Sequence, residues 1–433
     1  MIIYSTYKVK IKNCNKIFKD TARIYRKAVD YLIKVVDCNW SIIYAEKGSR
    51  RLNVVEALIH KTDSNPNPQY DFDEKFYKFP SYIRRGAINE AIGRISSYRT
   101  ILEKWESNPK GKRPSFPSVG STCPCMYKQE MYRKAGKYQA RLKVFIRNTW
   151  DWIYVDLKKS DIDYIEKHCR NSKECAPTLK KRGKQWFLDF PFEEKVELTE
   201  SRNIALAVEL GINTSATVTV MSSDGTIHGR HFLRLPNETD SLKRSLNRIK
   251  KAHQNGNMKT PKLWAKAKKE SRIIAMKTAA FIMDLAVLYN TDVIVFAHIS
   301  RNRRGSGVSR EMFRMWKSAE VQRAVTHRAH RHGMRVSVVS GANKRMLAFD
   351  GSGSTIRDKY HKSGTCQFQS GKIYNYSLNA SYNIGARFFI NDILKSLPEK
   401  ERLLTTAKVP ECGKRSTCTL STLINLNAVL ASA

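Results

Sequence analysis

The sequence predicts a fold of mixed α/β and α+β class, divided into two halves near residue 200. Strand-like alternation of apolar and polar residues dominates residues 125–198, and long helical patterns precede that region. After residue 200, short apolar strands alternate with long helices. With 433 residues, the chain has room for two or three domains of ordinary size.

The N-terminal half is predicted to begin with a strand and to continue with helices. Apolar and polar residues alternate over residues 1–13, and a helical period covers residues 21–40. A polar stretch with the sequence Asn-Pro-Asn-Pro, within residues 63–73, is typical of a loop. A second long helix is predicted after Pro80, with an apolar face that ends at Trp105.

Three further strands are predicted between these helices and residue 200. Their residues alternate in polarity over Gln139–Ile146, Trp152–Leu157 and Gln185–Phe192. A basic turn, residues 180–184, precedes the third of them. The N-terminal half is therefore predicted to be a β domain interrupted by a helical insertion.

The C-terminal half has a regular order of predicted elements. Strands are predicted at Ile204–Leu210, Ala216–Met221, His228–Leu235, Asp292–Phe296 and Arg335–Ser340. Helices are predicted at residues 240–254, 261–289, 309–332 and 379–395. Three antiparallel strands followed by helix, strand, helix, strand and helix are the order of an RNase H-like domain.

The charge of the chain points to a polyanionic partner. Lys and Arg number 78 against 39 Asp and Glu, a formal net charge of +39, and the sequence pI is about 9.9. Such an excess favours nucleic acid, because cationic side chains neutralise phosphates and release counterions. The chain shows no 18-residue apolar run and no signal peptide, so we expect a cytoplasmic protein without a membrane partner.

Two basic stretches are candidate nucleic-acid contacts. The candidates are Lys243, Arg244, Arg248, Lys250 and Lys251 in the first stretch, and Arg301, Arg303, Arg304, Arg310, Arg314, Lys317 and Arg323 in the second. A solvated helix face is the alternative for each stretch. Trp316, within the second stretch, is predicted to be a core residue.

The nine cysteines do not predict a zinc site. Their number is odd and no secretory signal precedes them, so we expect reduced thiols. Cys123 and Cys125 are too close for a usual zinc knuckle. The pairs Cys169/Cys175 and Cys412/Cys418 are spaced too widely.

Three short segments carry the clearest functional signal. They are Ala-Val-Glu-Leu-Gly-Ile-Asn at 207–213, Val-Ile-Val-Phe-Ala-His-Ile at 293–299, and Tyr-Ser-Leu-Asn-Ala-Ser-Tyr-Asn-Ile-Gly-Ala-Arg at 376–387. Their order and framing resemble the three RuvC motifs of the transposon-encoded TnpB nucleases and of the miniature type V CRISPR effectors. The resemblance covers residues 200–395 well and residues 1–198 loosely.

The resemblance implies a nuclease centre that has lost most of its metal ligands. RuvC domains have the RNase H-like fold, and their site lies across the first and fourth strands. The family places Asp, Glu and Asp where this chain has Glu209, Ala297 and Ser377. Two-metal hydrolysis needs several carboxylate ligands, because Mg²⁺ prefers oxygen donors in octahedral geometry. We therefore expect no bound magnesium and no cleavage. If only the ligands were lost, the substitutions Glu209→Asp, Ala297→Glu and Ser377→Asp together would restore metal binding.

Two alternatives remain open from the sequence. The chain could be an active RNA-guided nuclease with rearranged ligands, drawn from Glu209, Asp292, Asp350 and Asp358. It could also be a basic protein that binds nucleic acid without a guide.

The resemblance also implies a bilobed architecture with four parts. These are a wedge β domain (residues 1–18 and 118–199), a helical recognition domain (19–117), a RuvC-like domain (200–345 and 374–433) and a zinc-free target-nucleic-acid-binding insert (346–373).

The function implied by the resemblance is RNA-guided, sequence-specific binding of double-stranded DNA without cleavage, acting in transcription regulation. The expected partners are a guide RNA, a target duplex, and a transcription factor or RNA polymerase component. No other cofactor is expected, and monomer and homodimer remain open. The expected location is the prokaryotic cytoplasm, at the nucleoid when bound.

Overall fold

The computed structural model describes residues 1–13, 16–109, 111–120, 122–127, 129–299, 315–357 and 364–432. The chain forms two compact units, residues 2–194 and residues 195–433 together with Met1. Among the described residues, no helix combines the length and the apolar character that crossing a membrane requires.

The N-terminal unit contains six helices and seven strands in its described part. The helices are α1 (Lys16–Cys38), α2 (Trp40–Ala45), α3 (Arg50–Ile59), α4 (Phe72–Lys75), α5 (Ser81–Glu106) and α6 (Lys159–His168). The strands are β1 (Ile2–Lys10), β2 (Tyr132–Gly136), β3 (Gln139–Ile146), β4 (Thr149–Asp156), β5 (Lys173–Glu174), β6 (Thr178–Arg182) and β7 (Gln185–Lys195).

The two long predicted helices pack against each other. The apolar face of α1 buries Ala28 and Leu32, and the apolar face of α5 buries Ala87 and Ala91. Small residues at a helical spacing allow the two helices to approach closely, which explains the contact. The two long helices predicted from the sequence are therefore observed.

Two sheets make up the rest of this unit. One sheet has the order β1-β7-β5, with β6 also paired to β7, and the other is an antiparallel β2-β3-β4 meander. The predicted strands are confirmed, but the sequence analysis missed α6. This helix is short and buries Ile165 fully and Ile162 in part, so its apolar pattern is too weak to stand out.

The described part of the C-terminal unit contains six α-helices and seven strands. The strands are β8 (Ile204–Leu210), β9 (Ala216–Ser222), β10 (Ile227–Leu233), β11 (Val293–Ala297), β12 (Arg335–Val339), β13 (Thr365–Gln367) and β14 (Ile373–Asn375). The helices are α7 (Pro236–Gln254), α8 (Pro261–Leu288), α9 (Ser318–Arg331), α10 (Tyr376–Ser396), α11 (Glu399–Lys408) and α12 (Leu420–Ala431).

Five of these strands form one sheet in the order β10-β9-β8-β11-β12. The first three strands along the chain pair antiparallel, whereas β11 pairs parallel with both β8 and β12. The predicted RNase H-like order is therefore observed, with the first and fourth strands as neighbours.

The two faces of this sheet have different neighbours. Ala205 and Ala207 of β8 pack in a core with α10 and α12, whereas Leu206 and Val208 pack with α8 and α9. Since side chains alternate along a strand, Glu209 lies on the face of Ala205 and Ala207.

Three predicted helix boundaries differ from the structure. Helix α7 begins at Pro236 and α10 at Tyr376, each a few residues before the predicted position. Residues 309–314 of the predicted helix 309–332 lie outside the described residues, and α9 begins at Ser318. Helices α11 and α12 were not predicted.

Candidate functional site

Glu209 and Ala297 lie side by side at the carboxyl ends of two parallel strands. Val208 of β8 is in register with Phe296 of β11, so Glu209 and Ala297 are the next residues on each strand. Both side chains are buried, with 1% of Glu209 and 6% of Ala297 exposed. The two residues therefore lie at the ends of the first and fourth strands of the sheet.

Ser377 is the second residue of α10. The side chain of Asn375 accepts hydrogen bonds from the backbone N–H groups of Ser377 and Leu378, at 3.0 and 2.9 Å. One turn further along the same helix face, Ser381 Oγ lies 2.5 Å from Thr219 Oγ1 of β9. This spacing turns the Ser377 face of α10 toward the sheet. That the Cα atoms of Glu209, Ala297 and Ser377 cluster within about 10 Å, the reach of carboxylates around a metal pair, stays a prediction.

The carboxylate of Glu209 is bound by two basic side chains. Lys344 Nζ lies 2.5 Å from Oε2, and Arg345 donates to Oε1. Exposed fractions are 11% for the Lys344 side chain and 29% for that of Arg345. Both residues belong to the segment 340–349, which we call the cation loop. A buried carboxylate needs charged partners, and here the protein itself supplies them.

Polar residues of the third motif hold the cation loop in place. Asn379 donates to the carbonyl of Leu347 at 2.9 Å, and Asn383 donates to the carbonyls of Lys344 and Leu347 at 3.1 and 2.9 Å. Arg387, 3% exposed, also donates to two carbonyls of the loop. Burial lowers the pKa of the Arg387 guanidinium, which donates to four backbone carbonyls, those of Ser340 and Ala342 in the loop and those of Ser416 and Cys418 outside it. These residues of the third motif therefore have a structural role in holding the cation loop.

Arg345 links Glu209 to the start of α10. Its guanidinium lies 5.4 Å from the centre of the Tyr376 ring, and Arg357 lies 5.0 Å from the same ring. Tyr376 is the residue before Ser377. The contact places the beginning of α10 within the reach of one arginine side chain from Glu209.

The alternative ligands named from the sequence have other partners. Asp292 lies at the opposite end of β11, where its Oδ2 accepts from the backbone N–H groups of Arg202 at 2.8 Å and Ile204 at 3.3 Å. Asp350 accepts from the backbone N–H and the hydroxyl of Ser352. Asp358 lies outside the described residues. Within the described ranges, no group of three or more His, Cys, Asp or Glu residues is arranged to hold a metal ion.

The basic candidates of α7 all lie on its exposed face. Exposed side chains are those of Lys243, Arg244, Arg248, Lys250 and Lys251. The opposite face buries Leu242, Leu246 and Ile249 in a core with α8. The helix therefore presents a row of cations to solvent.

The second basic stretch is described only in part. Arg301, Arg303, Arg304, Arg310 and Arg314 lie outside the described residues. Lys317 is half-buried and forms an ion pair of 3.0 Å with Glu320, whereas Arg323 is exposed. Trp316 packs against two apolar cores, as predicted.

A third basic surface was missed by the sequence analysis. On the β2-β3-β4 sheet, Arg133 lies 4.6 Å from the ring centre of Trp152, and Arg141 lies 5.6 Å from Trp152 and 5.2 Å from Tyr154. We call these four residues the arginine–aromatic row. Tyr154 is 62% exposed. The available signal was the two-residue spacing of Trp152 and Tyr154, which places both rings on one face of a strand.

The predicted insert, residues 346–373, contains β13 and the first residue of β14, and the hairpin, which surrounds a small aromatic core, continues to Asn375. Cys366 is buried beside Phe368, and its thiol donates to the carbonyl of Tyr374 at 3.6 Å. Burial raises the pKa of this thiol. Aromatic packing, rather than a cluster of thiols, therefore fills the described part of the insert.

Sequence comparison gives one family. A model of the Aq_aa04 family matches residues 5–146. The uncharacterized protein aq_aa04 of Aquifex aeolicus (strain VF5) is 30% identical over 145 residues, which cover 29% of this chain and 82% of that protein. The chain belongs to the Aq_aa04 family. The matched region of this family member lies within the N-terminal unit.

Solved structures give a wider likeness. The fold of this member of the Aq_aa04 family is similar to that of Cas12f1 in a complex with sgRNA and target DNA. The TM-score is 0.52 at 12% identity, over 84% of this chain and 81% of that chain. A weaker likeness joins it to CasPhi-2 (Cas12j) bound to crRNA, with a TM-score of 0.35 at 9% identity over 88% and 97% of the two chains. The Cas12f1 likeness agrees with the fold implied by the three motifs.

Proposed function

We propose that this protein binds a guide RNA and, with it, a matched DNA duplex that it does not cleave. The observation that carries the proposal is the fold likeness over most of the chain to a Cas12f1 solved with sgRNA and target DNA. The net charge of +39 supports a polyanionic partner. In guided effectors, base pairing with the guide supplies the sequence specificity, and the protein contacts the backbone.

The proposed lack of cleavage is supported by the geometry at Glu209. Ala297 has no group that can bind a metal, and Ser377 has a neutral hydroxyl. The carboxylate of Glu209 is shared by two protein cations. Two-metal catalysis requires carboxylates that bridge ions about 4 Å apart, and one engaged carboxylate does not meet that requirement.

A stable complex without cleavage suits transcription regulation. Bound at a promoter, it would block the polymerase, or it would recruit a transcription factor or polymerase component. The four-part division into wedge, recognition, RuvC-like and insert segments is part of this proposal, with the wedge and recognition segments holding the guide RNA.

The test begins with the full chain purified from cells that also carry its flanking genes. Co-purified RNA is sequenced, and binding to a duplex that matches its variable part is measured by gel shift. We expect one uniform RNA species and a matched duplex that stays intact in Mg²⁺ and in Mn²⁺. A scrambled duplex is the control. A metal-dependent product that disappears in the Glu209→Ala variant would contradict the absence of cleavage.

The same experiment separates a second candidate. Unguided binding is favoured by the charge alone, since a basic surface attracts any nucleic acid. Heterogeneous co-purified RNA, together with equal affinity for matched and scrambled duplexes, would support that candidate against guided binding.

A further inference from the structure

We propose that the nuclease centre is a cation site that the chain fills with its own Lys344 and Arg345. Glu209 is then the counter-ion of this pair rather than a remnant metal ligand. The centre would take a hard divalent cation only after both basic side chains are removed. The proposal rests on the assignment of Glu209, Ala297 and Ser377 as the degenerate nuclease positions.

Charge balance is the first argument. The ammonium of Lys344 and the guanidinium of Arg345 together carry two positive charges, which equal the charge of one divalent ion. Each contacts a different oxygen of the Glu209 carboxylate. That carboxylate is 1% exposed, and a buried charge of this kind is costly unless it is paired.

Space is the second argument. The cleft beside Glu209 and Ala297, also lined by His298, Gln322 and Lys344, has a volume of about 20 Å³. A volume of that size holds about one water molecule. Lys344 lines this cleft, so little free space remains beside Glu209 for an added ion.

Built-in support for the cation loop is the third argument. Asn379 and Asn383 are fully buried, and both bind backbone carbonyls of the loop. Arg345 also contacts the Tyr376 ring. These contacts fix the loop on the third-motif helix, so the two cations are positioned by the same element that carries Ser377.

The consequence concerns attempts to restore the nuclease. Placing Asp, Glu and Asp at positions 209, 297 and 377 adds two carboxylates but leaves the two positive charges in the centre, and like charges repel an incoming metal ion. We therefore expect the variant Glu209→Asp/Ala297→Glu/Ser377→Asp to bind no more Mn²⁺ than the parent protein. The same variant with Lys344→Met and Arg345→Met should bind Mn²⁺ at least about tenfold more tightly.

The measurement is titration of the full-length variants with Mn²⁺, followed by the electron paramagnetic resonance of the free ion. Melting curves verify that each variant is folded. Equal Mn²⁺ affinity with and without the two methionine substitutions would overturn the proposal, and so would a folded five-site variant that binds no Mn²⁺.

A second experiment needs no metal. Lys344→Met/Arg345→Met leaves Glu209 buried without its cations, and we expect Tm to fall by about 5–15 °C. Adding Glu209→Gln removes the buried charge and should recover most of the loss. A double variant that melts like the parent, or no recovery with Glu209→Gln, would overturn the proposal. Neither experiment uses RNA or DNA, so their failure is distinct from a failure of the proposed function.

Discussion

The C-terminal unit uses its basic residues in two different ways. In the cation loop, Lys344 is largely buried and Arg345 is half-buried, and both contact one acid, Glu209. On α7, Lys250 and Lys251 are exposed, and the buried face of that helix is apolar. Formal net charge counts these cations equally, but a cation already paired inside the fold contributes little to an external phosphate. Burial and an internal partner therefore decide which part of the positive charge is available for nucleic acid.

The largest expected effect is on the free energy of unfolding, which should depend on the cation-loop residues and not on the exposed cations of α7. Lys344→Met removes one partner of a buried ion pair, and breaking such a pair typically costs about 3–5 kcal/mol. Arg345 still contacts Glu209, so we expect the lower end, about 3 kcal/mol, in the free energy of unfolding. The matched control Lys250→Met changes an exposed side chain and should shift stability by less than about 0.5 kcal/mol.

Urea denaturation measures both variants. The comparison breaks if Lys250→Met is as destabilising as Lys344→Met, because burial would then not distinguish the two groups.

The next effect separates the groups by nucleic-acid binding. Replacing the five α7 cations with Gln should weaken affinity for the bound RNA or duplex and flatten its salt dependence. Each lost phosphate contact lowers the slope of log affinity against log salt by about 0.7–0.9. If half of the five contact phosphates, we expect the slope to fall by about 2, with little change in Tm.

The slope of log affinity against log salt is measured by fluorescence anisotropy between about 50 and 200 mM salt. Affinity that depends on phosphate contacts falls steeply over this range. An unchanged slope would show that the α7 face is a solvated surface. That outcome was the alternative for this stretch.

The third prediction concerns the arginine–aromatic row, where exposed aromatic rings accompany the basic residues. Tyr154→Ala removes an exposed ring that stacks on Arg141, and base stacking on such rings contributes about 1–3 kcal/mol. We expect RNA affinity to fall by about 1 kcal/mol with a nearly unchanged salt slope, because no phosphate contact is lost. Tyr77→Ala is the control, since Tyr77 is 68% exposed in the same unit but does not belong to the row. Equal losses for the two variants would argue against a stacking surface.

The sequence predicted the elements that are strongly apolar or strongly periodic. β8 was placed correctly because six of its seven residues are apolar, Glu209 being the exception. Helix α5 was placed correctly because its apolar face is long. Helix α6 was missed because it is too short to show a clear apolar face. Contacts between distant positions were not predictable, since Lys344 and Glu209 are 135 residues apart and no local pattern joins them.

Glu209, Ala297 and Ser377 were singled out through the family resemblance and not through periodicity. Glu209 taken alone would read as an ordinary polar residue at a strand end. The available signal for the cation loop was the adjacent pair Lys344 and Arg345 shortly after β12. In so basic a chain such pairs are common.

The smallest expected effect lies at the start of α9, where one prediction from the sequence covers two different environments. Lys317 is half-buried and paired with Glu320 at 3.0 Å, whereas Arg323 is exposed. Exposed or partly exposed ion pairs contribute about 0–1 kcal/mol, so Lys317→Ala should hardly change stability. Because its charge is already shared with Glu320, it should also change the salt slope less than Arg323→Ala, which removes about one phosphate contact. Anisotropy titrations of the two variants at several salt concentrations compare the slopes.

A slope change for Lys317→Ala as large as that for Arg323→Ala would contradict this prediction. It would mean that an internal ion pair does not withhold a cation from nucleic acid, and the distinction between paired and exposed basic residues would then fail at the surface.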